Sequence, residues 1–292
     1  MREKPKLSVV ITAFREEKTI GKAIESAKKQ IDLRSDELWV VAPDKETISA
    51  AKKIPGVMVL KDPGKGKPTA LNLVFERVGG EIIVLTDGDV WVAEKAVKNL
   101  VLKFKESGVG MASSRPVSLN DKKFLFGYWA YLLTEAAHLV RIKRSSKEEY
   151  LDCSGYLLAI RKDLFSPIPV DHLTEDAYLS QQVYKKGYKI AYVPQARVFV
   201  KYPTNFRDWL KQKTRSVGGA SKKQDNIPMM RGWKEELRNG MLLLSLPKSP
   251  LEYLYLLLLF IARGYLWLVI FWKLRIKKLP FEKVWLRVES TK

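Results

Sequence analysis

Four short apolar blocks, Leu7–Ala13 (LSVVITA), Glu37–Ala42 (ELWVVA), Val57–Leu60 and Glu81–Thr86 (EIIVLT), are separated by stretches of helical periodicity. Continuous β-branched runs without polar alternation belong to strands buried on both faces. The intervening segments predict helices over Thr19–Gln30, Thr47–Lys53 and Thr69–Val78, with another over Glu94–Lys105. In the first of them, Ile20, Ala23, Ile24 and Ala27 share one face. Strand and helix alternating at this pace specify an α/β fold with a doubly wound, mostly parallel sheet.

The alternation loosens after residue 108. Strands are expected at Val109–Ser113 and Tyr156–Ile160, with two short ones at Lys189–Val193 and Val198–Val200. Helices are expected at Phe124–Val140, Thr174–Lys186 and Phe206–Val217. Gly218-Gly219 closes this region, so the chain divides into 1–219 and 220–292. The second part holds an amphipathic stretch, Gly232–Leu246, a Pro247-Lys248-Ser249-Pro250 break, and Leu251–Trp272, whose only charges are Glu252 and Arg263.

Charge narrows the choice of partner. The 292 residues carry 52 Lys+Arg against 32 Asp+Glu, and residues 205–292 alone hold 18 basic and 7 acidic side chains. Such a field draws polyanions or an anionic membrane surface. The apolar run Leu251–Trp272 lies in the same third and is long enough to cross a bilayer. The seven basic residues that follow it run against the positive-inside tendency for a single crossing. Glu252 and Arg263 fall on one helix face, which suits a helix lying in the interface or packed on a partner. The aromatics of this third cluster in the apolar run rather than among the basic residues, which disfavours nucleic acid. Residues 1–6 lead directly into an apolar strand too short for a secretory signal, which places the expected location in the cytoplasm. One cysteine (Cys153) and two histidines (His138, His172) exclude a disulfide framework and a Cys- or His-built metal site. A metal here is a hard ion on carboxylates.

Four segments carry candidate chemistry. Asp87-Gly88-Asp89 follows the EIIVLT block, where open α/β sheets bind ligands. Two carboxylates flanking a glycine hold Mg²⁺ or Mn²⁺ while the backbone approaches a diphosphate, or else form an ordinary Asp-Gly turn. Asp62–Thr69 (DPGKGKPT) fails as a P-loop, because Pro68 follows Gly66-Lys67 and Lys61 stands where the first glycine is required. It remains a flexible cationic loop at a helix N-terminus, either meeting phosphate or merely solvated. His172-Leu173-Thr174-Glu175-Asp176 reads equally as a helix N-cap. Gln212 and Arg215 lie on a basic helix that is otherwise a solvated face.

Taken in order, these segments make residues 7–219 resemble glycosyltransferase family 2, the inverting, metal-dependent GT-A fold. VVITAFREEKTIGKAIESA is similar to the family's opening strand and helix, with Thr12, Phe14 and Arg15 in place of its usual Pro, Tyr and Asn. LWVVAPDKET matches its nucleoside-contacting loop, Lys65–Asn72 its Gly-Lys-x-x-Ala-Leu-Asn segment, and Asp87-Gly88-Asp89 its Asp-x-Asp. Ser154-Gly155-Tyr156 through Arg161 matches its small-residue strand, Thr174-Glu175-Asp176 its Glu-Asp motif, and Gln212-x-x-Arg215 the Gln-x-x-Arg-Trp of membrane-bound polysaccharide synthases. Ser216 stands at the Trp position, and the multiple C-terminal spans of those synthases are missing, so transfer of a single sugar is the expectation.

The resemblance implies roles. Asp89, with Asp87, would hold Mn²⁺ or Mg²⁺ against a UDP- or GDP-linked sugar. Asp176 would be the general base, with Gln212 and Arg215 completing the catalytic set. Glu16, Asp44, Lys65, Lys67, Ser154, Gly155 and Glu175 would contact donor or acceptor. The acceptor would be lipid-linked or a saccharide, and the enzyme would sit at the cytoplasmic face of the membrane. Two rivals are a sugar nucleotidyltransferase, which needs no Asp176-type base, and a non-enzymatic polyanion-binding protein.

Overall fold

A computed structural model describes residues 5–170, 172, 174–220, 230, 233–276 and 290–291. The chain forms two compact units, Met1–Pro116 with Tyr150–Val200, and Val117–Glu149 with Lys201–Thr291.

The first unit is built on one sheet. Its strands are β1 (Leu7–Thr12), β2 (Glu37–Ala42), β3 (Met58–Lys61), β4 (Ile82–Asp87), β5 (Val90–Val92), β6 (Val109–Ser118), β7 (Leu157–Arg161) and β8 (Lys189–Val200), in spatial order β3-β2-β1-β4-β7-β6-β8-β5. β1 pairs in parallel with β2 and β4, and β2 with β3. Pairing turns antiparallel at β4/β7, β7/β6 and β5/β8. The sheet is therefore mixed, and the parallel character expected of most of it is confined to the half containing β1. The strands with apolar runs are those expected to be buried, and every residue of β1 is buried.

Helices α1 (Ile20–Lys28), α2 (Lys45–Lys52), α3 (Lys67–Phe75) and α4 (Ala96–Leu102) follow the strands of the first half. α1 buries Ile20, Ala23, Ile24 and Ala27, the face its spacing defines. In the core Val10 and Ile83 meet Leu71 and Val74 of α3, and the Phe75 and Phe165 rings stack with centroids 3.6 Å apart.

Several local expectations change, and β6 and the helix expected at Phe124–Val140 run past their expected ends, to Ser118 and Ser146. β5 is a strand where none was expected, being only three residues long. β8 is one strand rather than two, running through Pro194, which removes only a single donor. α3 begins two residues earlier than its periodicity suggests, because Gly66 takes φ 95° at the N-cap and Pro68 suits the first turn. Lys67 thereby becomes a helix residue instead of part of a flexible loop.

The second unit is helical: α5 (Leu125–Ser146), α7 (Phe206–Ala220), α8 (Trp233–Gly240) and α9 (Pro250–Phe271), while α6 (Glu175–Lys185) belongs to the first. Tyr128, Trp129 and Leu132 of α5, Trp209 of α7, and Leu256, Leu259 and Leu266 of α9 share a core. The Trp129 indole donates to the Tyr255 carbonyl at 2.8 Å. α9 starts at Ser249, whose hydroxyl accepts the Glu252 N–H at 3.3 Å, with Pro250 in the first turn.

Candidate active site

Register places the site. Thr12, the last residue of β1, lies beside Asp87, the last of β4, and β2 ends on the other side of β1 at Ala42. The three strand ends thus open together at the carboxyl edge of the parallel half. The Thr12 hydroxyl donates to Asp87 Oδ1 at 3.1 Å. Lys67 Nζ, from the first turn of α3, reaches the same oxygen at 2.6 Å and Glu175 Oε1, from the first turn of α6, also at 2.6 Å. All three side chains are largely shielded from solvent.

This is a charge cluster with a carboxylate surplus. Burial disfavours the Lys67 ammonium, but Asp87 and Glu175 outweigh it and hold the amine above its ordinary range. Burial pushes the Asp87 carboxyl up; Lys67 pulls it down, while Asp89 and Glu175 push it up again, and the net is upward. A further cation is electrostatically welcome beside Asp87 and Asp89. Among the described residues no three His, Cys, Asp or Glu side chains are grouped to hold a metal by themselves. The donor set still fits Mg²⁺ or Mn²⁺, which bind through one or two carboxylates and complete their shell with substrate phosphate. Asp87 Oδ1 already serves both Lys67 and Thr12.

Gly88 has a packing reason of its own. Its N–H donates to the Thr12 carbonyl at 2.9 Å. A Cβ there would stand 2.7 Å from Ala13 Cβ and 3.4 Å from Glu16 Cγ. The chain leaving β1 therefore requires a glycine here.

That segment is itself tied down. Arg15 takes φ 54°, an uncommon conformation for a non-glycine residue, and its N–H donates to Asp44 Oδ2 at 2.8 Å. Asp44 caps α2, with Oδ1 accepting the Thr47 N–H at 2.9 Å. Burial raises the Asp44 carboxyl, but these backbone donors and the Thr47 hydroxyl bring it below the usual range. The Glu16 N–H donates to Thr47 Oγ1 at 2.8 Å, and its carboxylate accepts the Thr19 hydroxyl at 2.7 Å. Glu16 and Asp44 are thus held by local hydrogen bonds at the ends of β1 and β2. Lys65 is exposed between Gly64 and Gly66, both at positive φ.

At the start of α6, Asp176 is buried and its Oδ2 accepts the Gly155 N–H at 3.2 Å. Two serines fix this arrangement. Ser180 Oγ donates to the Asp176 carbonyl at 2.7 Å and accepts the Cys153 N–H at 2.9 Å, while Ser113 Oγ accepts the Ser154 N–H at 3.0 Å. Thr174 sits at the N-cap but makes no capping bond, and its buried hydroxyl has no hydrogen-bond partner among the described residues. The capping alternative for this segment therefore fails at its key atom.

The first unit brings together Glu16, Asp44, Lys67, Asp87, Asp89, Ser154, Gly155, Glu175 and Asp176 at strand ends and the adjoining helix starts. Gln212 and Arg215 belong to α7 of the second unit, where Gln212 is buried. Four hydroxyls escaped the sequence reading: Thr12, Thr47, Ser113 and Ser180. Only Thr12 left a trace, as the residue standing where the family usually has proline.

Residues 5–219 match the family model described as glycosyltransferase like family 2. A probable glycosyltransferase of Bacillus subtilis, YdaM, is 26% identical over 236 residues, covering 75% of this chain and 56% of its own length. An N-acetylglucosaminyltransferase of Bradyrhizobium diazoefficiens is 24% identical over 240 residues, covering 72% of this chain and 48% of its own. The chain thus spans about half the length of the curated relatives it matches. Among solved structures, the mannosyltransferase PcManGT of Pyrobaculum calidifontis, in complex with GDP-Man and Mn²⁺, has a TM-score of 0.61 at 19% identity, covering 93% of this chain and 72% of that one. The fold is the GT-A fold.

Proposed function

The chain belongs to glycosyltransferase family 2, and from that premise we propose that it moves one sugar from a nucleotide-sugar donor to an acceptor hydroxyl with inversion. The observation that carries this reading is the Asp87–Lys67–Glu175 cluster at the strand ends, with buried Asp176 adjoining Glu175 on α6. Asp176 accepts the proton of the attacking hydroxyl, positioned by the Gly155 N–H and by the Ser180 link to the Cys153 backbone. Lys67 and exposed Lys65 offer positive charge to the departing diphosphate, and Arg215, with Gln212, adds to it by motif. Asp89 and Asp87 would hold a Mn²⁺ or Mg²⁺ ion, which when bound would supply Lewis-acid stabilisation of that leaving group. The Mn²⁺ and GDP-Man of the Pyrobaculum structure favour such a donor complex. Glu16 and Asp44 face the nucleoside, while Ser154, Gly155 and Glu175 line the sugar and acceptor side.

Residues 1–219 form the catalytic region in this reading, and 220–292 hold it to the cytoplasmic face of a membrane, where a lipid-linked or saccharide acceptor is met. The support is α9, 22 residues long and apolar enough to enter a bilayer. Nucleotide-sugar hydrolysis and transfer with and without Mn²⁺ test the proposal. Asp89→Ala should abolish the metal-dependent rate, and Asp176→Asn should keep donor binding while losing transfer. Full activity in both variants would overturn it.

A further inference from the structure

The exposed side of α9 is apolar from end to end. Leu251, Leu254, Leu258, Ile261, Tyr265 and Leu268 recur at helical spacing along it, all exposed. Leu256, Leu259, Ala262, Leu266 and Ile270 form the opposite, buried stripe against the rest of the second unit. Neither charge of α9 faces outward. Glu252 accepts the Tyr128 hydroxyl of α5 at 3.2 Å. Arg263 pairs with Glu236 of α8, through Nε at 3.1 Å and through a second guanidinium contact, and Glu236 also accepts the Trp267 indole N–H at 3.0 Å. In water, an unbroken apolar strip about 33 Å long is a liability unless something covers it.

We propose that α9 lies in the plane of an anionic membrane, its exposed strip in the acyl region and its Leu256–Ile270 stripe on the protein, without crossing the bilayer. The proposal rests on the membrane association put forward above. Arg263 sits about 4 Å from the helix midpoint. If α9 crossed the bilayer, α8, with Lys234, Glu235, Glu236 and Arg238 in eight residues, would be carried to hydrocarbon depth. In the plane, α8 stays on the protein side at headgroup level. The surface beside α8 suits that position: Lys143 and Arg144 of α5, Lys147 just past its end and Arg238 of α8 line one cleft with Glu149, and Arg144 and Arg238 both pair with Glu235. Exposed Lys143 and Lys147 there complement acidic headgroups. A second copy of this chain would bring the same cations and the same excess of positive charge to the interface, which disfavours it as the cover.

Depth measurements on the full chain distinguish the cases. Leu254→Cys, Ile261→Cys and Leu268→Cys replace exposed side chains and can each carry a nitroxide. The wild-type chain, whose Cys153 is buried, gives the background. In phosphatidylglycerol/phosphatidylcholine vesicles the three labels should report equal, shallow depths. Ile261→Cys deeper than the other two by about 10 Å, the rise of seven helical residues, would overturn the in-plane arrangement while leaving membrane association intact. Labels without lipid contact, together with failure to co-sediment with the vesicles, would overturn the membrane reading itself.

Discussion

Lys67 Nζ lies 2.6 Å from Asp87 Oδ1 and 2.6 Å from Glu175 Oε1, so one ammonium joins the end of β4 to the start of α6. The pair does two things at once. It fixes one carboxylate of the proposed metal site, and it ties down the start of the helix that presents Asp176. A lysine at the first turn of a helix is electrostatically out of place, since cations are disfavoured there. Its two carboxylate partners explain why it is tolerated.

Lys67→Met should therefore cost both stability and activity. Breaking a buried ion pair costs about 3–5 kcal/mol, and partial solvent access at all three side chains reduces the expected loss to about 1–3 kcal/mol. Because the folded state raises the Lys67 pKa, this contribution is complete below the unfolded lysine value of about 10.4 and fades only as pH rises through the folded one. The melting difference from wild type should thus be flat between about pH 6 and 9. Lys67→Arg should recover part of it. A difference that vanished at neutral pH would mean that the pair contributes nothing to folding.

Thr12→Val tests the other hand on Asp87. It removes the hydroxyl that donates at 3.1 Å while nearly conserving volume, in a position that is 8% exposed. A hydrogen bond to a charged group contributes about 1.5–3 kcal/mol, so metal-dependent donor hydrolysis should fall by about tenfold or more if Asp87 must be held in place. Thr12→Ser should retain most of the rate. Equal rates in Val and Ser variants would show that Lys67 alone suffices.

The contrast between Thr12 and Lys67 shows how far the sequence was legible. β1, β2 and β4 were visible because strands buried on both faces leave continuous apolar runs. β5 was not, since Val90-Trp91-Val92 is too short to show a period and exists through its pairing with β8. Asp87 and Asp89 were visible as a motif, but the reason for Gly88 was not, because Ala13 comes near it only when β1 and β4 pair. The Asp62–Thr69 segment read as flexible because both partners of Lys67 lie far along the chain. Thr174 misled in the opposite sense. Its residue type suits a cap, and its carbonyl accepts the Tyr178 N–H at 3.1 Å, yet with its backbone at φ −134° and ψ 85° its side chain makes no cap bond.

Gly88→Ala should destabilise the fold although it spares both carboxylates. The new Cβ would meet Ala13 Cβ at 2.7 Å, and neither the short Ala13 side chain nor its backbone, whose N–H is held by the Val41 carbonyl at 3.0 Å, can swing aside. Overpacking of this kind costs about 1–3 kcal/mol, which should lower Tm by several degrees in calorimetry. Gly155→Ala is the control. Its Cβ would meet Asp176 atoms at 3.4–3.5 Å, ordinary van der Waals contact, and its Tm should stay near wild type. Equal effects of the two substitutions would remove the close-approach explanation for Gly88.

Acid stability should depend on Glu37, at the far end of β2 from the site. Burial would raise its carboxyl, yet four donors overcome that and bring it from 4.5 to about 2: the Lys6 ammonium, the Gly79 N–H, the Ser8 hydroxyl and the Trp39 indole N–H. Three of these contacts fall between 2.7 and 2.9 Å and the indole lies at 3.1 Å, so the carboxylate ties the starts of β1 and β2 to the turn before β4. A carboxyl with a depressed folded pKa stabilises fully above its unfolded value, and that share is lost as pH falls through the folded one. Glu37→Gln should then lower Tm at pH 7, with the gap from wild type closing as pH falls from 4.5 towards about 2. Thermal melts across that range measure it directly. A gap independent of pH would mean that the hydrogen bonds, and not the charge, carry the contribution of Glu37.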